Sequence, residues 1–129
     1  MLNPTGKSVR IVDPQGHGQY GARRSGGRFH RGVDYVCKPG QQVVSPISGV
    51  VVRYARPYAK GEFQGLLIQG PHIAVKLFYL VPSVLPGRQV AQGSVIGVAQ
   101  DISKKYPGMI PHIHIEVESM DVEILTEEL

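Results

Sequence analysis

Seven residues near the end of the chain, Pro111-His112-Ile113-His114-Ile115-Glu116-Val117, alternate imidazole or carboxylate with aliphatic side chains. On a strand, successive side chains leave by opposite faces. His112, His114 and Glu116 then share one face, and Ile113, Ile115 and Val117 are expected to enter a core. Two imidazoles side by side on a rigid element suit zinc chemistry, because one ring can bind the metal while its neighbour handles a proton of the attacking water. Two histidines do not complete a zinc site, and the same pattern fits an ordinary strand whose polar face happens to carry them.

Phe29-His30-Arg31-Gly32-Val33-Asp34-Tyr35 offers more donors. Extended backbone puts His30, Gly32 and Asp34 on one face, with no side chain at Gly32 to keep the other two apart. Together with one histidine of the later strand, His30 and Asp34 make three protein ligands and leave a fourth position open, the pattern of a catalytic rather than a structural zinc. The competing reading is a surface ion pair of Asp34 with Arg28 or Arg31.

The rest of the chain must hold these two segments together. Sixteen glycines and ten prolines, about a fifth of 129 residues, are scattered without a period through hydrophobic stretches. That excludes a helical bundle and a collagen-like repeat, and calls for many turns between short strands. β-type runs at Val33 to Cys37, Val43 and Val44, Val50 to Tyr54, Leu66 to Gln69, Ile73 to Val81, Val95 to Val98 and Ile110 to Val117 are separated by KPGQ, SPISG and GP turns. The expected fold is a single all-β domain, an antiparallel sheet or sandwich, with one helical turn over Asp101 to Tyr106. Residues 1–28 form a glycine- and arginine-rich leader expected as a long loop, 29–118 the β domain, and 119–129 an acidic tail.

These segments resemble a known family. FHRGVDYVCKPGQQVVSPISGVVV is similar to the first signature of the lysostaphin-type zinc endopeptidases, GRQVAQGSVIG to their glycine-rich turn, and PHIHIEV to their His-x-His motif, in the same order over about residues 29–118. The resemblance implies a small β fold with a groove floored by zinc and cleavage of peptide bonds in bacterial cell-wall cross-links. Carried over by position, it makes His30, Asp34 and His114 the zinc ligands and His112 the general base. The chain departs from the family at Tyr79, which stands in Leu77-Phe78-Tyr79-Leu80 where a further catalytic histidine is expected. A phenol with an ordinary pKa near 10 is no base at neutral pH, but its hydroxyl can donate to an oxyanion. GHGQYGARRS, VKLFYLVPS and KKYPGMIPHIHIE resemble more closely the leukocyte cell-derived chemotaxins, a secreted branch regarded as zinc-binding without being proteolytic. The alternative to an enzyme is therefore a zinc-stabilised binding or signalling module.

Charge and cysteine content bear on partners and setting. Residues 1–115 carry all fourteen Lys and Arg against Asp13, Asp34, Glu62 and Asp101, a net +10, whereas 116–129 carry six acids and no base. A basic body favours a polyanionic partner such as peptidoglycan with its anionic polymers. Arg23, Arg24, Arg28 and Arg31 border the expected groove and suit carboxylates. Nucleic acid is disfavoured, because aromatic and basic residues interleave in YARPY at 54–58 but no nucleic-acid motif accompanies them. The single Cys37 rules out an internal disulfide, is expected as a packed thiol, and leaves zinc as the candidate restraint. His17 belongs to the leader loop and His72 to a turn. No signal peptide and no membrane span are read, so reaching an envelope calls for a carrier such as a phage tail, a lysis system or an export machine, with the acidic tail as the docking element.

Overall fold

The computed structural model describes residues 1–10 and 32–120. His17, Arg23, Arg24, Arg28, His30 and Arg31, and residues 121–129 of the acidic tail, lie outside the described residues.

Nine strands account for almost all regular structure: β1 (Val33–Val36), β2 (Gln42–Val44), β3 (Gly49–Ala55), β4 (Gly65–Gln69), β5 (Ile73–Phe78), β6 (Leu80–Pro82), β7 (Gln89–Val90), β8 (Val95–Ala99) and β9 (His112–Met120). Six form an antiparallel sheet in the order β1-β9-β5-β4-β3-β7, and three form a second sheet, β2-β8-β6. The fold is the antiparallel all-β one that the turn-rich composition calls for. At Lys38-Pro39-Gly40-Gln41 the Gln41 amide donates to the Lys38 carbonyl at 3.0 Å with Gly40 at φ +86°. Proline followed by a left-handed glycine is what a type II turn requires. The expected helical turn is a 3-10 turn, Ile102–Lys104, whose Asp101 side chain accepts from the Ser103 amide.

The inner faces of the two sheets supply the core: Val51, Leu66, Ile68, Val75, Leu77 and Ile113 from the larger, Val43, Leu80 and Ile96 from the smaller, all fully buried. Ile113 and Ile115 enter it as the alternation predicts, but Val117 does not and is 44% exposed. Val117 keeps the register of Ile115, opposite Val75, and the shift in the β5–β9 pairing comes only beyond it, at Ala74 and Ser119.

The stretch Ile73 to Val81 reads as one strand and is two. Its break is Tyr79, which has φ +77°, the left-handed region that a bulky L-residue rarely enters. The Gln64 carbonyl accepts from the amides of both Tyr79 (2.8 Å) and Leu80 (3.3 Å), and the Tyr79 carbonyl accepts from Gln100 (2.9 Å). These bonds hold a conformation costing about 1–3 kcal/mol. They turn the chain from the large sheet into the small one within one residue.

Cys37 is buried, and burial pushes its thiol up to about 12 from an ordinary 9.0. The folded protein is therefore expected to resist a thiol reagent at pH 8 and to titrate one thiol on unfolding; rapid labelling of the native chain would contradict this burial. Because the folded value is the raised one, the thiol favours folding below pH 9, and this contribution is lost as the pH rises from 9 toward 12.

Candidate metal centre and catalytic site

Cross-strand pairing assembles the site. In the antiparallel register Asp34 of β1 faces His114 of β9, which faces Phe78 of β5, which faces Gly65 of β4. Directly opposed residues share a face, so a single row crosses the outer side of the large sheet. Within it His114 Nδ1 lies 2.6 Å from Asp34 Oδ1, and the His114 ring stacks on Phe78 with centroids 6.0 Å apart and planes at 11°. Gly65 makes room for this stack, since a Cβ there would meet Phe78 Cδ1 at 2.8 Å.

A further residue extends the row at its other end. The Ser8 carbonyl accepts from Val36, the Arg10 amide donates to the Asp34 carbonyl at 2.7 Å, and Val9 bridges Tyr35. Residues 8–10 thus line the outer edge of β1, and Arg10 comes to lie opposite Asp34. Its Nε donates to Asp34 Oδ2 at 3.1 Å, with Arg10 and Asp34 both 1% exposed. The surface ion pair considered for Asp34 is therefore corrected: the carboxylate is buried, and an arginine outside the motif pairs with it. No local pattern marks Arg10, because the contact is made by strand pairing across 24 positions.

Glu116 is the other addition. Its Oε1 lies 2.9 Å from His114 Nε2, so both ring nitrogens of His114 face carboxylates. Burial alone would lower the His114 pKa, but the hydrogen bonds to Asp34 and Glu116 outweigh it and raise the value. His112 goes the opposite way. Burial holds it below the ordinary histidine range despite Asp34, whose Oδ2 is 3.5 Å from Nε2. Its Nδ1 donates to the Ile110 carbonyl at 2.7 Å, which leaves the Nε2 lone pair of the neutral ring on the Asp34 side.

Tyr79 packs edge-on against His112, with ring centroids 5.3 Å apart. Its hydroxyl lies 3.3 Å from that of Tyr58, and Tyr58 in turn packs on Phe63 and Tyr106. Burial raises the pKa of both phenols, so both stay protonated donors. Tyr58, one of the two aromatics of YARPY, is thereby half-buried in this cluster rather than presented for stacking. His72 lies in the exposed β4–β5 turn, away from the row.

Asp34, His114, His112 and Tyr79 therefore come together, and His30 lies outside the described residues. Among the described residues no three His, Cys, Asp or Glu side chains form a metal-ready group. The two ligand candidates that are described nonetheless suit a cation. Their inner atoms, Oδ1 and Nδ1, face each other, while the outer oxygen is held by Arg10 and the outer nitrogen by Glu116. Outer hydrogen bonds of this kind orient ligands in metal sites.

Gly32 has a different role from the one its spacing implies. A Cβ at this position would lie 2.0 Å from the Ile115 carbonyl oxygen and 3.0 Å from His114 Cε1. Gly32→Ala must push β1 away from β9 and is expected to cost about 1–3 kcal/mol or more. A urea midpoint unchanged from the parent would contradict this contact.

A model of peptidase family M23 matches residues 28–125, and the chain belongs to that family. It is 35% identical over 110 residues to leukocyte cell-derived chemotaxin-2 of Bos taurus, covering 84% of this chain and 72% of that protein. Among solved structures it is similar to a zinc containing peptidase from Vibrio cholerae (TM-score 0.61, 25% identity, 88% of this chain and 35% of that one). It is also similar to the catalytic domain of the antimicrobial peptidase lysostaphin from Staphylococcus simulans (TM-score 0.55, 25% identity, 88% and 85%). A putative peptidase M23 from Pseudomonas aeruginosa shares the fold (TM-score 0.64, 19% identity), and the chain spans 44% of its length. No helix among the described residues is long and apolar enough to cross a membrane.

Proposed function

We propose that this chain is a zinc-dependent metalloendopeptidase domain acting on the peptide cross-links of bacterial peptidoglycan. The observation that carries the proposal is the arrangement at Asp34: His114 Nδ1 on one carboxylate oxygen, and the unprotonated Nε2 of a neutral, buried His112 beside the other. Asp34, His114 and His30 would hold the metal. Zinc bound there polarises the scissile carbonyl and acidifies water.

The chain's own residues do the rest. His112 accepts a proton at Nε2, and its Nδ1 bond to Ile110 keeps the ring in the orientation and tautomer for doing so. Tyr79 offers its hydroxyl to the oxyanion that develops on the scissile carbonyl, and the Tyr58 hydroxyl positions it. To bind a metal through Nδ1, His114 would first have to lose the proton of that nitrogen to solvent, so zinc uptake would release protons and weaken as the pH falls. The peptidoglycan substrate rests on the lysostaphin-type motifs and on the basic body, which favours an anionic envelope. Delivery to that envelope by a phage tail, lysis system or export machine, with the acidic tail as the docking element, is part of the same reading.

A second reading is a zinc-stabilised binding or signalling module that retains the metal without the chemistry. Tyr79 in the histidine position and the identity to chemotaxin-2 favour it. Native mass spectrometry of the purified chain with zinc, paired with digestion of several peptidoglycan types, separates the two. One zinc per chain and release of new amino groups are expected. One zinc with no release, where lysostaphin-type enzymes do release amino groups, would leave the module reading.

A further inference from the structure

Arg10 is a fully buried guanidinium, and nothing in the sequence motifs accounts for it. It lies eighteen residues before the family match begins at residue 28, yet its side chain closes one end of the row described above, on Asp34. Burying a guanidinium is costly unless a partner with good geometry receives it. Here the partner is one particular oxygen, Asp34 Oδ2, at 3.1 Å, while the other oxygen is left to His114 Nδ1. The backbone makes this geometry rigid. The Arg10 amide bonds the carbonyl of the same Asp34, and Ser8 and Val9 continue the pairing along β1.

We propose that residues 8–10 are a built-in part of the metal centre and that Arg10 is a positioning residue, fixing the Asp34 carboxylate so that Oδ1 alone is presented to a metal. This inference rests on the zinc reading above. A carboxylate offers two oxygens and can bind a cation through one or both. With Oδ2 committed to Arg10, Asp34 binds through a single oxygen, which keeps the coordination number low and a position open. Without Arg10 the hydrogen bond that holds Oδ2 away from the metal is lost, and that oxygen can turn toward the metal or toward His112, whose Nε2 is 3.5 Å from it.

The test uses the full chain and its Arg10→Met and Arg10→Lys variants. Zinc affinity is read by competition with a chromophoric chelator, and coordination by the visible spectrum of the cobalt-substituted protein. Far-UV circular dichroism and thermal melting monitor the fold. Arg10→Met is expected to bind zinc about 10–100-fold more weakly, with a weaker cobalt band as the coordination number rises. Arg10→Lys, which keeps the charge without the planar fork, is expected to fall in between. A folded Arg10→Met with the parent's zinc affinity and cobalt spectrum would overturn the role of Arg10 while leaving the zinc reading intact. If Arg10→Met does not fold, Arg10→Lys decides, and parental affinity and spectrum there overturn the inference equally. A parent chain that binds no zinc overturns both.

Discussion

Asp34→Ala is expected to abolish stoichiometric zinc binding and to lower the unfolding free energy of the metal-free chain by about 3–5 kcal/mol. Two consequences of one carboxylate act together. As the proposed ligand it would contribute Oδ1, which lies 2.6 Å from His114 Nδ1. As a counter-ion it receives Arg10, which is 1% exposed, so its removal leaves the guanidinium facing a small apolar methyl group. A folded domain holds only about 5–15 kcal/mol in total, so a loss of this size is a large share of it. Urea denaturation of the metal-free protein and native mass spectrometry with zinc check the two parts separately. The double variant Asp34→Ala with Arg10→Met should recover part of the stability without recovering the metal, because it removes the buried charge that lost its carboxylate but does not restore the ligand. A single variant as stable as the parent would contradict the weight given to the Arg10–Asp34 pair.

His112→Ala is expected to reduce peptide-bond hydrolysis by about 10²–10⁴-fold, the range for loss of a general base, while leaving one zinc per chain. The two histidines of the strand lie two residues apart, but they are made different by their partners. His114 has a carboxylate at each nitrogen and is drawn toward its charged form. His112 has a carbonyl at Nδ1 and is kept neutral by burial. The environments therefore differ in the way that the proposed division into ligand and base requires. The corresponding measurement is amino-group release at saturating zinc, with zinc content determined on the same sample. Loss of zinc together with activity would show that His112 belongs to the ligand set, and unchanged hydrolysis would remove it from the mechanism.

Much of this arrangement is legible in the sequence because the strand period is short-range. Alternation alone places His112 and His114 opposite Ile113 and Ile115, and the Pro39–Gly40 turn declares itself by residue type. What escapes is what depends on partners far along the chain. Arg10 becomes part of the site only because residues 8–10 pair with β1, and no periodicity announces a three-residue edge segment. Glu116 is visible on the right face, but its hold on His114 Nε2 is a matter of rotamer and distance. Val117 follows the alternation and keeps the register of Ile115, yet it is 44% exposed, which side-chain period alone does not show. Ile73 to Val81 looks continuous because hydrophobicity persists through the bend. The signal that breaks it is a backbone angle at Tyr79, a residue whose type gives no warning of a left-handed conformation.

That bend bears on how the two chemistries of the fold are related. The backbone at position 79 is held by Gln64 on one side and Gln100 on the other, through peptide groups that any amino acid except proline possesses in full. Histidine enters the left-handed region more readily than a bulky residue such as tyrosine, so exchanging tyrosine for histidine changes the functional group at the site without a new torsional demand on the main chain. Tyrosine and histidine codons differ by one base. A phenol-bearing and an imidazole-bearing version of this domain are thus a single base change apart, and the backbone bonds at position 79 serve either side chain.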